Sequence, residues 1–185
     1  MSILEPIFTM QYGEFAVADY LSKNIKGASV FFPASAQEKG IDLLLYKYAN
    51  GVNTTNTIQV KMSRTYYDVN PRYQGILWFN RFNVPKNANW IILVGIYADF
   101  SNDAANAKSK DTKWNTIMLA FTNKEMQRFM DEVKLKGNPD KDDKMFGFGF
   151  IGKSVINQTR GYSEERDMTK YLIENRIAEI ENSFI

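Results

Sequence analysis

The sequence contains no cysteine and no histidine. Without cysteine there is no disulfide framework, thiolate nucleophile, redox pair or thiolate zinc site. Without histidine there is no Ser-His-Asp or Cys-His triad, no imidazole base and no imidazole-ligated metal. Any chemistry must use carboxylates, lysine, hydroxyls, amides and a hard cation held by oxygen, such as Mg²⁺ or Ca²⁺. Long apolar runs are also missing. The longest, Trp90 to Ala98, is nine residues, and a membrane-spanning helix needs roughly 20. Met1 to Phe15 carries Glu5 and Glu14 but no Lys or Arg, so it lacks the basic start of a signal peptide. The expectation is a cytoplasmic protein with no membrane partner. Excess charge is scarce as well: 23 Lys+Arg stand against 21 Asp+Glu, a net of +2, too little to identify a partner by itself.

What is present is enough for one folded domain. The chain has 185 residues, 44% apolar and 14% aromatic, which argues against disorder and allows a substantial core. Apolar positions from Gln11 to Asn24 recur at helical spacing. Ala28 to Phe32 reads as a short strand, and Gly40 to Tyr48 as a strongly apolar one. Asn50-Gly51 signals a turn, Val52 to Asn56 reads as its polar continuation, and Thr57 to Met62 returns as a strand. The pair forms a hairpin with a loop longer than the shortest type. Ile76 to Asn83 and Thr116 to Phe121 are further strands, and Trp90 to Ala98 is one buried on both faces. Asp99 to Lys113 reads as a polar loop. Thr122 and Glu125 form a capping box opening a helix that should end near Gly137, with Met126, Phe129, Met130 and Val133 on one face. Phe146, Phe148 and Phe150 alternate with glycines, so three rings share a core-facing side while the other side is bare enough for a close helix or subunit approach. Ser163 can cap a last helix carrying Met168, Tyr171, Leu172, Ile177 and Ile180. Its apolar side suits core packing first and a homodimer contact second. This order predicts an α+β or α/β domain with a central mixed sheet flanked by helices.

Chemistry concentrates in the hairpin. A turn centred between Gly51 and Val52 sets Asp42 opposite Lys61, and a centre one residue later sets it opposite Ser63. Either way Gln59 and Lys61 share a face, because strand side chains alternate. Asp42 then lies a cross-strand or diagonal step from Lys61, while Val60 points to the opposite, apolar layer. An ordinary exposed ion pair would contribute little. However, Asp42 opens onto Leu43, Leu44 and Leu45, and Lys61 follows Ile58 and Val60. Charges there are expensive to desolvate unless paired, hydrated or bound to a metal.

These residues resemble the PD-(D/E)xK nuclease superfamily, the restriction-endonuclease-like fold. Its acidic residue on the first helix corresponds to Glu14 after Gly13, its strand-opening Asp to Asp42 in Gly40-Ile41-Asp42, and its (D/E/Q)-x-K triplet to Gln59-Val60-Lys61. Gln59 stands where Asp or Glu is usual and removes one negative charge from the site. The resemblance covers roughly residues 10 to 98. It implies a single domain over 1–185, with a nuclease core at about 10–98 and a C-terminal elaboration at about 99–185. It also implies a Mg²⁺-dependent DNA endonuclease, restriction-like or resolvase- or repair-like, with Mn²⁺ as an alternative ion. Asp42, Gln59, the Val60 carbonyl and Glu14 would hold the metal, and Lys61 would act on the attacking water and the developing charge. The alternative is a nucleic-acid-binding or interaction module that keeps the fold without cleaving.

Charge distribution agrees with a nucleic-acid partner. Residues 59 to 90 hold Lys61, Arg64, Arg72, Arg81 and Lys86 against Asp68 alone, five bases to one acid or +4, interleaved with aromatic rings. Bases for phosphates and rings for stacking suit DNA. Arg64, Tyr66, Tyr67, Arg72 and Tyr73 flank the site in sequence and are the contact candidates. Trp78 or Phe79, Phe82 and Trp90 are assigned to the core.

Overall fold

A single long strand organises the chain in the computed structural model, which describes residues 7–33, 40–66, 73, 75–98, 114–133, 145–158 and 166–184. The elements are α1 (Ile7–Asn24), β1 (Ala28–Phe31), β2 (Leu43–Ala49), β3 (Val52–Tyr66), β4 (Gly75–Asn80), β5 (Trp90–Ala98), β6 (Trp114–Thr122), α2 (Asn123–Glu132), β7 (Met145–Ile151), β8 (Ser154–Gln158) and α3 (Ile173–Asn182), with a 3₁₀ turn at Thr169–Tyr171 before the last helix. The fold is α+β.

The β2–β3 hairpin is tighter than its composition suggests. Ala49 pairs with Val52, leaving only Asn50 and Gly51 in the loop, with φ of 54° and 80°. Asn-Gly accepts the left-handed conformation at both turn positions, which matches the twist of the flanking strands. The longer loop expected from sequence is therefore absent, and Val52 to Asn56 belongs to β3 instead of continuing the turn. The register moves accordingly. Leu43 pairs with Ile58, so one step further Asp42 stands level with Gln59, not with Lys61 or Ser63.

β3 uses its length to change partners. Its first half pairs antiparallel with β2, Ile58 to Arg64 pair parallel with β5, and Thr65 and Tyr66 pair with β4. The resulting eight-stranded sheet runs β1-β2-β3-β4-β7-β8, with β5 joined to β3 and β6 to β5. The parallel β3–β5 pair makes it mixed.

Two apolar layers lie on either side of β5, as the continuous run Trp90–Val94 predicts. Trp90, Ile92 and Val94 face one cluster with Val17 and Leu21 of α1, Ile25 just after it, Leu43 and Leu45 of β2, and Ile173 and Ile180 of α3. Ile91 and Leu93 face the other, with Leu77, Phe79, Phe146, Phe148, Phe150 and the buried face of α2. The three rings of β7 are core, and so are Phe79 and Trp90, while Trp78 is half-buried. The far side of β7 is already filled. A Cβ on Gly147 would lie 2.8 Å from the Trp78 ring and one on Gly149 2.7 Å from the Tyr73 ring, so those glycines admit rings of the same chain.

The capping box forms as read, Thr122 and Glu125 each satisfying the other's backbone N–H, but α2 ends at Glu132, before Gly137. The last helix begins at Ile173; Met168, Tyr171 and Leu172 precede it. Ser163 and residues 99–113 lie outside the described residues. No helix among the described residues is long and apolar enough to cross a membrane.

Candidate active site

The site forms where β2 stops following β3. The Asp42 N–H donates to the Ile58 carbonyl at 2.8 Å, and its carboxylate Oδ2 accepts from the Val60 N–H at 2.7 Å. Asp42 thus replaces the ladder partner that β2 would have supplied and is held by β3 itself. No ion pair joins it to Lys61 among the described residues. The bland cross-strand salt bridge is not formed.

Alternation along β3 sends Ile58 and Val60 into the α1 layer and Gln59 and Lys61 to the opposite face. Gln59 is buried, and its Oε1 has no hydrogen-bond partner among the described residues. A buried acceptor without a partner costs about 1–3 kcal/mol, and polar atoms orphaned in this way are a small minority in folded proteins. Lys61 is half-buried, its Nζ 5.6 Å from the centre of the Phe82 ring, and Phe82 rests on Phe146 at 6.2 Å. The ring supports the cation from below.

Glu14 reaches the site from the helix side. A Cβ on Gly13 would sit 3.2 Å from the Met62 Cβ, so the glycine lets α1 lie directly against β3. That contact brings the next residue, half-buried Glu14, within electrostatic range of both Asp42 and Lys61. Burial pushes the Glu14 carboxyl above its ordinary value and the Asp42 charge pushes it further, with Lys61 opposing. A carboxylate whose proton affinity is raised by a neighbouring negative charge is relieved by a cation beside it.

Asp42 and Glu14 lie within electrostatic range of one another, and buried Gln59 neighbours the Val60 whose N–H holds Asp42; these are oxygen donors of the kind a hard divalent ion takes. No cluster of three or more Asp, Glu, His or Cys side chains is placed to hold a metal among the described residues.

The flanking contact candidates divide. Arg64 is exposed, but alternation places it with Val60 and Met62 on the α1 side, the side from which Glu14 enters, not on the Lys61 face. Tyr73 is half-buried with its ring against Gly149. Tyr66 ends β3, its side chain undescribed, and Tyr67 and Arg72 lie outside the described residues. Sequence reasoning missed the role of Phe82 beside Lys61, and no spacing signal connects residues so far apart in the chain.

No family model, curated protein or solved structure matches the chain.

Proposed function

We propose that the chain is a metal-dependent DNA endonuclease of the PD-(D/E)xK type, cleaving phosphodiester bonds at the Asp42–Gln59–Lys61 face. The observation that carries this reading is the orphaned Oε1 of Gln59, the β3 neighbour of the Val60 that holds Asp42, beside a contact at Gly13 that brings Glu14 within electrostatic range of Asp42 and Lys61. Mg²⁺ or Mn²⁺ held by Asp42, Gln59, the Val60 carbonyl and Glu14 would, when bound, polarise a phosphoryl oxygen and lower the pKa of bound water. The protein's own groups do the rest. Asp42 is oriented by the Val60 N–H before any ligand arrives, so no ordering is needed at that carboxylate. Lys61, uncommitted to Asp42 and supported by Phe82, orients the attacking water and stabilises the negative charge that develops on the phosphate.

Asp42→Asn tests the reading better than Asp42→Ala. Asparagine keeps an oxygen for the Val60 N–H, whereas alanine would orphan that donor. Cleavage of plasmid, single-stranded, flap and junction DNA in Mg²⁺ should fall by about 10²-fold or more in a folded Asp42→Asn protein. Undiminished cleavage would remove Asp42 from the site. DNA binding by the native protein without Mg²⁺-dependent cleavage of any of these substrates would favour a non-cleaving module.

A further inference from the structure

Among the described residues, the Lys61 ammonium makes no hydrogen bond and no ion pair; its contact is the Phe82 ring, whose centre lies 5.6 Å from Nζ. A lysine without fixed partners keeps many rotamers open, so the ring limits where this charge can sit. Phe82 lies in residues 81–89, the connection from β4 to β5, which has no helix or strand of its own. Such connections are usually the mobile parts of a fold. This one is pinned from two sides. The Asn123 side-chain amide of α2 donates to the Pro85 and Ala88 carbonyls, both at 2.7 Å, and the Asn123 N–H donates to the Asn89 carbonyl at 2.9 Å. From β3, the Thr57 hydroxyl donates to the Asn87 carbonyl at 2.6 Å and the Thr57 N–H to Asn89 Oδ1 at 2.8 Å, while the Asn89 N–H donates to the Thr57 carbonyl at 2.8 Å. The pinned turn also presses on the acid side of the site. A Cβ on Gly40, two residues before Asp42, would lie 2.5 Å from the Pro85 Cβ, and Gly40 has a φ of 90°. Glycine alone allows both.

One short segment therefore meets both halves of the site, with Phe82 at Lys61 and Pro85 against the approach to Asp42. Packing accounts for Phe82 resting on Phe146. It does not account for a ring face turned to an ammonium, or for an amide that gives both its donors to one turn. We propose that residues 81–89 form a positioning bracket: Phe82 sets where the Lys61 charge sits relative to Asp42, and Asn123 acts on Lys61 through the turn it locks. Neither touches the reacting atoms, so both are positioning residues. The effect on turnover rests on the nuclease reading above, whereas the placement of Lys61 can be measured without it.

The test compares Phe82→Leu, Phe82→Tyr and Asn123→Ala with the native full chain. Leucine keeps apolar packing but loses the ring face, tyrosine keeps the face, and alanine leaves the Thr122–Glu125 cap in place. The first readout is NMR of the Lys61 side chain without DNA or metal. Its ε-methylene protons should be shifted upfield by the ring in the native protein and in Phe82→Tyr. They should move to the position of an exposed lysine in Phe82→Leu, and part of the way there in Asn123→Ala. The second readout is single-turnover cleavage in Mg²⁺ beside DNA affinity in Ca²⁺. Phe82→Leu and Asn123→Ala should each cleave about tenfold or more slowly, because small displacements of a positioned group are costly, while affinity stays near native. Phe82→Tyr should keep the native rate. Unshifted Lys61 protons in the native protein, or native-like ones in Phe82→Leu, would overturn the bracket. So would equal losses of turnover in Phe82→Tyr and Phe82→Leu, which would mark a packing role, or native turnover in Asn123→Ala. Ring-shifted Lys61 protons that Asn123→Ala reduces, with no cleavage by the native protein, support the bracket and refute the nuclease.

Discussion

Replacing Gln59 with methionine separates a metal ligand from a packing residue. Methionine has a similar length and no acceptor to orphan. In EDTA the native protein carries a buried oxygen with no partner, a penalty of about 1–3 kcal/mol. Gln59→Met removes it and should stabilise the metal-free protein by about 1–2 kcal/mol. For a chain of 185 residues, each kcal/mol moves Tm by roughly 2–4 °C, so calorimetry in EDTA should show a rise of roughly 2–8 °C. With Mg²⁺ the order reverses in its response. A ligand at ten times its Kd stabilises the native state by about 1.4 kcal/mol, and the native protein should gain this while Gln59→Met gains little. Gln59→Glu, which supplies a third carboxylate, should bind Mg²⁺ more tightly than native and be less stable than native in EDTA. A Gln59→Met protein that is destabilised in EDTA, or that responds to Mg²⁺ as the native chain does, would refute the reasoning, because the oxygen would then have a partner other than a cation.

Three further outcomes can be measured. Glu14 has a raised carboxyl in the fold, so its charge disfavours the native state above the folded pKa and has no effect below the ordinary value of 4.5; Glu14→Gln should therefore raise Tm at pH 7 in EDTA, and the gain should vanish below about pH 4 in a pH series. Buried Arg176 donates from Nη2 to Glu125 Oε2 at 2.7 Å and to Glu179 at 3.0 Å. Burial raises the Glu125 carboxyl, but hydrogen bonds from Thr122 and Arg176 outweigh it and leave the pKa lowered. Arg176→Met should cost about 3 kcal/mol at pH 7, a difference that shrinks as pH falls from 4.5 through the lowered folded value, read as Tm against pH. Gly13→Ala gains helix propensity of about 1 kcal/mol but crowds Met62, which must give slightly to admit the methyl group, so turnover should fall while Tm changes by no more than a few degrees; unchanged turnover would detach Glu14's position from catalysis.

Features written into short stretches of sequence were legible there. Asn50-Gly51 marked the turn, Thr122 and Glu125 marked the start of α2, and period-two alternation put Gln59 and Lys61 on one face with Val60 on the other. The buried character of β5 followed from an uninterrupted apolar run, and the order of elements led to an α+β chain. Each depends on contacts between near neighbours, whose geometry the backbone sets locally. The turn also shows where such reasoning stops. Its position was plain but its length was not, and closing it at two residues shifted the register by two positions, so that Leu43 pairs with Ile58 and Asp42 reaches Val60 instead of Lys61.

What only the tertiary structure decided were the long-range meetings. Asp42 caps the Val60 N–H because β2 diverges from β3 at that level. Glu14 enters because a glycine seats α1 on Met62, and Phe82 supports Lys61 because the segment after β4 packs onto Phe146. Arg176 joins α3 to the first turn of α2 across 51 residues, beneath Trp90 and Tyr171. Nothing in the spacing of these residues encodes their proximity. They meet because two apolar layers must close on the opposite faces of one sheet, and the polar groups stranded at the seams take the partners that closure leaves within reach.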